Sequence, residues 1–315
     1  MSSFWSAWII VLTLAFLVFI IWLLRWNMSN YTGIKEGELM DHEYDGIVEI
    51  NNPMPKWWTI LFWITIVWGF IYLALYPGLG NFKGLLGWSS SNQHVRSLDE
   101  SRQATEEARA AGLIVEYDRQ VDQAEEKFGP IFTALSQRPI EELAKDEEAV
   151  KIGQRLFIQN CAQCHGSNAM GGKGFPNLTD NDWLYGGSPE QIKHSIMEGR
   201  VGLMPPQSQF NDRQVTELAH YVMSLSGRKV DPELAKAGEA NFIVCAACHG
   251  MDGKGNYALG APNLTDNIWL YGGSQDAIEE TIRNGRNGVM PAWKDILGED
   301  KIHVISSYVY GLSQD

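Results

Sequence analysis

One segment of thirteen residues occurs twice, almost unchanged, and limits this chain more than any other feature. Pro176-Asn-Leu-Thr-Asp-Asn-Asp-Trp-Leu-Tyr-Gly-Gly-Ser188 returns as Pro262-Asn-Leu-Thr-Asp-Asn-Ile-Trp-Leu-Tyr-Gly-Gly-Ser274, with 12 of 13 positions identical. Glu198-Gly-Arg200 followed by Met204-Pro205 likewise returns as Asn284-Gly-Arg286 followed by Met290-Pro291. A solenoid needs at least three shorter units, so two copies of about 80 residues predict two small similar domains.

Each copy opens on a cysteine motif. Cys161-Ala-Gln-Cys164-His165 and Cys245-Ala-Ala-Cys248-His249 use all 4 cysteines of the chain. C-x-x-C-H is the attachment pattern of c-type haem. Its two thiols, three positions apart, can add to the two vinyl groups on one porphyrin edge, and the adjoining imidazole then reaches the iron. A zinc ribbon wants its CxxC pairs about 15–20 residues apart, far closer than here. A thioredoxin-like pair needs a βαβ setting, whereas these flanks read as helical. Two covalently bound haem c groups are therefore expected.

The sixth iron ligand must come from a separate segment. Of 10 methionines, Met204 and Met290 hold matching repeat positions, 39 and 41 residues after His165 and His249, each followed by proline. Met170 and Met251 follow their histidines too closely to reach the far face. Met197 aligns with Arg283, and His194, His220 and His303 have no repeat counterpart. The expected iron ligands are thus His165, Met204, His249 and Met290. Whether each methionine serves its own repeat or the other is left open by the sequence. Imidazole plus thioether closes both axial positions and raises the potential, which describes electron transfer rather than oxygen binding. Trp183, Trp269, Arg200 and Arg286 are readable either as partners of the haem carboxylates or as packing residues.

Gly153-x-x-x-Phe157 and Gly238-x-x-x-Phe242 precede the two motifs on helical segments. Later segments place Val215, Leu218, Tyr221, Val222 and Leu225, then Ile302, Ile305, Tyr308, Val309 and Leu312, on single helical faces. Small residues on one helix facing such a stripe predict a close crossing of first and last helices.

The other end of the chain is apolar. Phe4–Leu24 and Trp57–Tyr76 carry no charge over 21 and 20 residues, and about 20 helical residues span a bilayer core. Aromatic residues bracket both runs, including Trp5, Trp22, Trp57 and Tyr76, as at membrane interfaces. The first run lacks a basic leader, and Arg25-Trp26 stands where a signal peptide would be cleaved, so an uncleaved anchor is expected. Arg25, Lys35 and Lys56 lie between the runs and no Lys or Arg precedes the first, which predicts a cytoplasmic loop 25–56 with the remainder outside. Neither run contains histidine, so neither can ligate a membrane-embedded haem.

Residues 98–150 hold 14 acidic and 6 basic side chains and read as helices broken near Pro130 and Pro139. The whole chain carries a net charge of −13, which argues against nucleic acid as a partner. Residues 151–230 sum to +2 and 231–315 to −6. An acidic surface steers basic partners, so the second repeat is expected to meet the electron donor. The expected architecture is mainly α: a two-helix transmembrane hairpin (1–97), an acidic helical connector (98–146), and two tandem domains (147–227 and 228–315).

The repeats resemble class I cytochromes c. Asp45-Gly-Ile-Val-Glu-Ile-Asn-Asn-Pro-Met-Pro-Lys-Trp-Trp58, leading into the second apolar run, is similar to the N-terminal signature of the CcoP/FixP family, the dihaem subunit III of cbb3-type cytochrome c oxidases. Some members have one span where this chain has two. The resemblance implies a bacterial inner-membrane location with periplasmic haem domains. It also implies a donor cytochrome c, a monohaem cytochrome c subunit and a catalytic haem-copper subunit as partners in a proton-pumping terminal oxidase. In that arrangement the chain is a relay without chemistry of its own. The rival readings are a dihaem peroxidase-like enzyme, which needs a displaceable sixth ligand on one iron, and a membrane cytochrome shuttle for a dehydrogenase.

Overall fold

The computed structural model describes residues 2–29, 32–89 and 95–314. The chain divides into two units, 1–126 and 127–315.

In the first unit, helix α1 (Ser3–Asn27) and helix α2 (Lys56–Leu75) coincide with the two apolar runs. Both are long and apolar enough to cross a membrane, with mean hydropathy 2.9 and 2.0, and very few of their side chains are buried. Lipid is the solvent that makes such surfaces stable. Near one end of α1, Ser6 Oγ accepts the Asn81 N–H at 2.9 Å. Gly80 there lies so close to Ser6 that no Cβ fits, and its φ of +59° suits glycine. Toward the other end, the Arg25 guanidinium sits 6.0 Å from the Trp63 ring. The two helices therefore run in opposite directions, as a hairpin requires.

The segment between them is more ordered than a plain loop. Strands β1 (Leu39–Tyr44) and β2 (Ile47–Ile50) pair antiparallel. Asp45 and Gly46 turn the chain with φ of 49° and 81°, the two left-handed positions of a tight hairpin turn that Asp-Gly favours. A short parallel contact joins β3 (Trp88–Ser89) to β4 (Ile114–Val115) around helix α3 (Leu98–Ala110). Helix α4 (Glu116–Ser136) runs through Pro130 instead of breaking there. Proline clashes with the Cβ of the residue before it; Gly129 has none, which lowers the cost of continuing. The break at Pro139 is present, and α5 (Ile140–Leu143) follows it.

The second unit holds α6 (Glu147–Asn160), α7 (Ala162–His165), α8 (Pro189–Glu198), β5 (Arg200–Met204) and α9 (Asp212–Leu225) from the first repeat. From the second come α10 (Pro232–Asn241), α11 (Ile243–His249), α12 (Gln275–Asn284), β6 (Arg286–Met290), α13 (Lys294–Leu297) and α14 (Glu299–Leu312). Helix starts are fixed by side-chain caps: Asp146 for α6, Ser188 for α8, Asn211 for α9, Asp231 for α10 and Ser274 for α12.

Packing does not follow the repeat boundaries. One core combines Phe157, Ile192 and Ile196 of the first repeat with Ile302, Ile305, Tyr308 and Val309 of the second. The other combines Val215, Leu218, Ala219 and Val222 of the first with Phe242, Ile278 and Ile282 of the second. The close crossings expected of first and last helices are made, but with the last helices exchanged. A Cβ at Gly153 of α6 would stand 2.7 Å from Tyr308 Cβ and 2.8 Å from the Val304 carbonyl oxygen of α14. A Cβ at Gly238 of α10 would run into the Glu217 carbonyl and the Leu218 amide of α9. The spans 147–227 and 228–315 are thus repeats of sequence, while each packed core draws on both.

Alanine has the higher helix propensity, by about 1 kcal/mol over glycine, yet Gly238→Ala is expected to destabilise the protein by about 1–3 kcal/mol because the backbones must part. Thermal unfolding of the intact protein with its variant checks the sign.

Candidate functional site

The two motifs fold alike. Cys161, Cys164 and His165 form a turn of helix closed by Gly166 at φ 77°, and Cys245, Cys248 and His249 one closed by Gly250 at φ 79°. Those turns bring each imidazole back to the chain that follows. His165 Nδ1 lies 3.0 Å from the Pro176 carbonyl oxygen, and His249 Nδ1 lies 3.0 Å from that of Pro262. A ring N–H donated there leaves Nε2 unprotonated, the tautomer a metal ligand needs. Burial lowers the pKa of His249, against the hydrogen bond to Pro262, and so favours its neutral form.

The first cysteine of each motif rests on a core, Cys161 on the first and Cys245 on the second. Burial pushes the Cys161 thiol up to about 11 and raises that of Cys245. Thiols held neutral in this way suit thioether formation at a core edge better than a thiolate metal centre. Cys164 and Cys248 are exposed.

The methionines cross over. Strands β5 and β6 pair antiparallel, with Arg200 opposite Met290, Gly202 opposite Gly288 and Met204 opposite Arg286. Met290 packs against the core that holds Phe157 and Cys161, beside Trp293. The chain after it is docked there too: Trp293 N–H donates to the Ile196 carbonyl at 3.1 Å, and Gly199 lies under Met290-Pro291 with no room for a Cβ. Reciprocally, Gln207 N–H donates to the Ile282 carbonyl at 2.9 Å, and Gly285 lies under Met204-Pro205. The structure therefore sets Met290 on the core that Cys161 borders, and docks the Met204-Pro205 segment on the end of α12, a helix of the core that Cys245 borders.

Trp183 and Trp269 pack on the first and second cores respectively. Arg200 stacks 4.6 Å from the Tyr185 ring and donates from Nε to Ser195 Oγ at 2.9 Å. Arg286 does the same 4.6 Å from the Tyr271 ring, donating to Thr281 Oγ1 at 3.0 Å. Sequence reasoning passed over both tyrosines, although the thirteen-residue repeat contains them. It also passed over a concentration of negative charge. Asp182 has its pKa raised to about 6 by burial, by Asp266 and by Asp180, and that of Asp180 is raised by burial with a contribution from Asp266.

Helical units carrying two CxxCH turns, each with its imidazole Nδ1 held against a backbone carbonyl, define a c-type cytochrome. Residues 36–83 match the family described as the N-terminal domain of cytochrome oxidase-cbb3, FixP, and residues 148–222 and 233–309 match cytochrome c oxidase, cbb3-type, subunit III. A cbb3-type cytochrome c oxidase subunit CcoP of Rubrivivax gelatinosus is 42% identical over 316 residues, covering 99% of this chain and 96% of the relative. A FixP subunit of Azorhizobium caulinodans is 39% identical over 86% of this chain and 91% of the relative. The CcoP subunit of Cereibacter sphaeroides is 36% identical over 86% and 93%. The chain belongs to the CcoP/FixP family of cbb3-type cytochrome c oxidase subunits. It is accordingly a membrane-anchored electron-transfer subunit of an oxidoreductase complex and binds haem c.

The folded pKa of Asp182 stands above its ordinary value, so the folded protein binds that proton more tightly than the unfolded chain. Stability should fall as pH rises from about 4 to about 6 and stay at the lower level above. Asp182→Asn is expected to raise Tm at pH 7 and to leave it nearly unchanged at pH 4, as read by thermal denaturation at both values.

Proposed function

We propose that the chain carries two haem c groups and passes electrons from a donor cytochrome c, through both, to the monohaem cytochrome c subunit and on to the catalytic haem-copper subunit of a proton-pumping oxidase. One haem would be held by Cys161 and Cys164 together with His165 and Met290. The other would be held by Cys245 and Cys248 together with His249 and Met204. The observation that carries this reading is the reciprocal docking of the two Met-Pro segments, each on the helix end of the other repeat. The residues fit the group on further counts. Each histidine keeps Nε2 free, each motif sets one cysteine against a core, and Met290 lies beside the same core as Cys161.

Iron so held supplies a one-electron cycle between ferrous and ferric states. The chain's own residues do the rest. Pro176 and Pro262 orient the imidazoles and Phe157 and Phe242 fill the cores, while the methionine thioethers would hold the irons against oxygen binding. A dihaem peroxidase-like enzyme would need one methionine displaced, and the matched docking of both speaks against that. Family membership favours the oxidase over a shuttle for a dehydrogenase. The anchoring helices set the haem domains in the bacterial periplasm, with loop 25–56 in the cytoplasm, in keeping with the placement of Arg25, Lys35 and Lys56.

Two experiments test this. Denatured protein should keep two haems, and Cys245→Ala with Cys248→Ala should leave one. In that single-haem protein, Met290→His should lower the potential of the remaining haem and abolish its sulfur-to-iron band, while Met204→His should leave both nearly unchanged. The opposite pattern would mean that each repeat keeps its own methionine. For topology, a reporter fused after Asp45 should be active only in the cytoplasm and one at the C-terminus only in the periplasm; a periplasmic signal at Asp45 overturns the orientation.

A further inference from the structure

The two tyrosines that stack on Arg200 and Arg286 lie along the seam where the repeats meet. A Cβ on Gly202, at the centre of β5, would stand 3.1 Å from the Tyr185 hydroxyl, and one on Gly288, its partner in β6, 3.4 Å from that of Tyr271. Each ring also reaches the loop after the opposite CxxCH motif. The Tyr185 ring is packed on Gly260 so tightly that a Cβ there would overlap it, and Tyr271 Cε1 is 3.4 Å from the Cβ position of Gly174. At that second contact the Gly174 N–H donates to the Leu270 carbonyl across the repeats at 2.8 Å. The Tyr185 hydroxyl is shut off from solvent and has no hydrogen-bond partner in the protein, so its place is fixed by packing of the ring.

We propose that Tyr185 and Tyr271 are positioning residues for electron exchange between the two haem sites. Each tyrosine belongs to a loop that leads from one motif to its own core tryptophan and helix. It rests on the strand leading to the methionine of the other site and on the loop following the other site's histidine. A rigid ring set against each strand at the centre of the β5–β6 ribbon, and against the loop beyond it, holds the two sites at one separation and orientation. The arginines stacked on the rings, each 4.6 Å from the ring centre, help to keep them from swinging out. The step served is a single-electron exchange, one site oxidised as the other is reduced, with no bond made or broken. Its rate depends steeply on how closely the two sites are held.

This inference rests on the crossed ligation proposed above, yet the two can fail separately, because ligation is read from single-haem variants and the brace from the dihaem protein. The test replaces Tyr185 and Tyr271 by Leu in the full chain. One site is pulse-reduced, and redistribution of the electron is followed optically. The rate is expected to fall several-fold, and the magnetic coupling between the two oxidised haems, read by paramagnetic resonance, to weaken. Both sites should keep their sulfur-to-iron band. Tyr→Phe at both positions, which preserves the rings, should restore rate and coupling. Tyr271→Leu alone, with one brace left, provides a milder variant and an intermediate rate. An unchanged rate and coupling in the double Leu protein overturns the proposal. Loss of the sulfur-to-iron band in both Leu variants overturns it as well, since the tyrosines would then build the sites rather than brace them.

Discussion

Five opposed residue pairs between β5 and β6 decide how the two repeats of this molecule are assembled. Each strand is the stretch that carries the chain from one helix to its methionine. Because the two run antiparallel with their glycines facing, the strand that leaves α8 ends beside the start of the one that leaves α12. Everything downstream is thereby delivered to the other repeat: Met290, α13 and α14 to the core of α6, α9 to the core of α10, and the Met204-Pro205 segment to the end of α12. Exchange of this kind costs little when the exchanged parts are alike. Gly199 under Met290-Pro291 and Gly285 under Met204-Pro205 make the same contact twice.

That likeness is also why the exchange could not be read from the sequence. The helices of each repeat and the close crossings at Gly153 and Gly238 were legible, since each depends on local spacing. Which copy of a stripe such as Ile302-Ile305-Tyr308-Val309 packs on which glycine is a choice between two nearly equal surfaces, and periodicity is silent on it. Pro130 misled for a different reason. A proline rule applied without its neighbour missed that Gly129 relieves the clash. The hairpin β1–β2 was announced by Asp45-Gly46, but the polar segment was treated only as a link between two spans. Tyr185 and Tyr271 stood in plain view within the repeated thirteen residues, and only their reach across the seam gives them meaning.

The exchange also changes the electrostatic picture. Counted by repeat from Lys151, the two halves carry +2 and −6. Counted by packed core, residues 151–204 with 290–315 carry −1 and residues 205–289 carry −3. A contrast of eight charges shrinks to two, because the acidic residues of the last segment, among them Glu299 and Asp300, sit on the first core. The Lys193–Glu299 pair at 2.8 Å and the Lys294–Glu198 pair at 3.4 Å are formed across that same boundary. The charge is spread more evenly between the two cores than the order of residues suggests.

Crossed strands also impose an order in time. Residues 205–289 form a core that is continuous in the chain, nested inside another whose two parts are separated by that whole stretch. Helix α6 is synthesised early, yet the stripe that covers Phe157 arrives only with α14, after the whole of the nested core. Contacts so far apart in sequence are slow to form because the intervening chain must first be closed into a loop. The first CxxCH motif therefore waits, open and accessible, until the second has been built and folded. The site nearer the membrane in sequence is the last to be sealed.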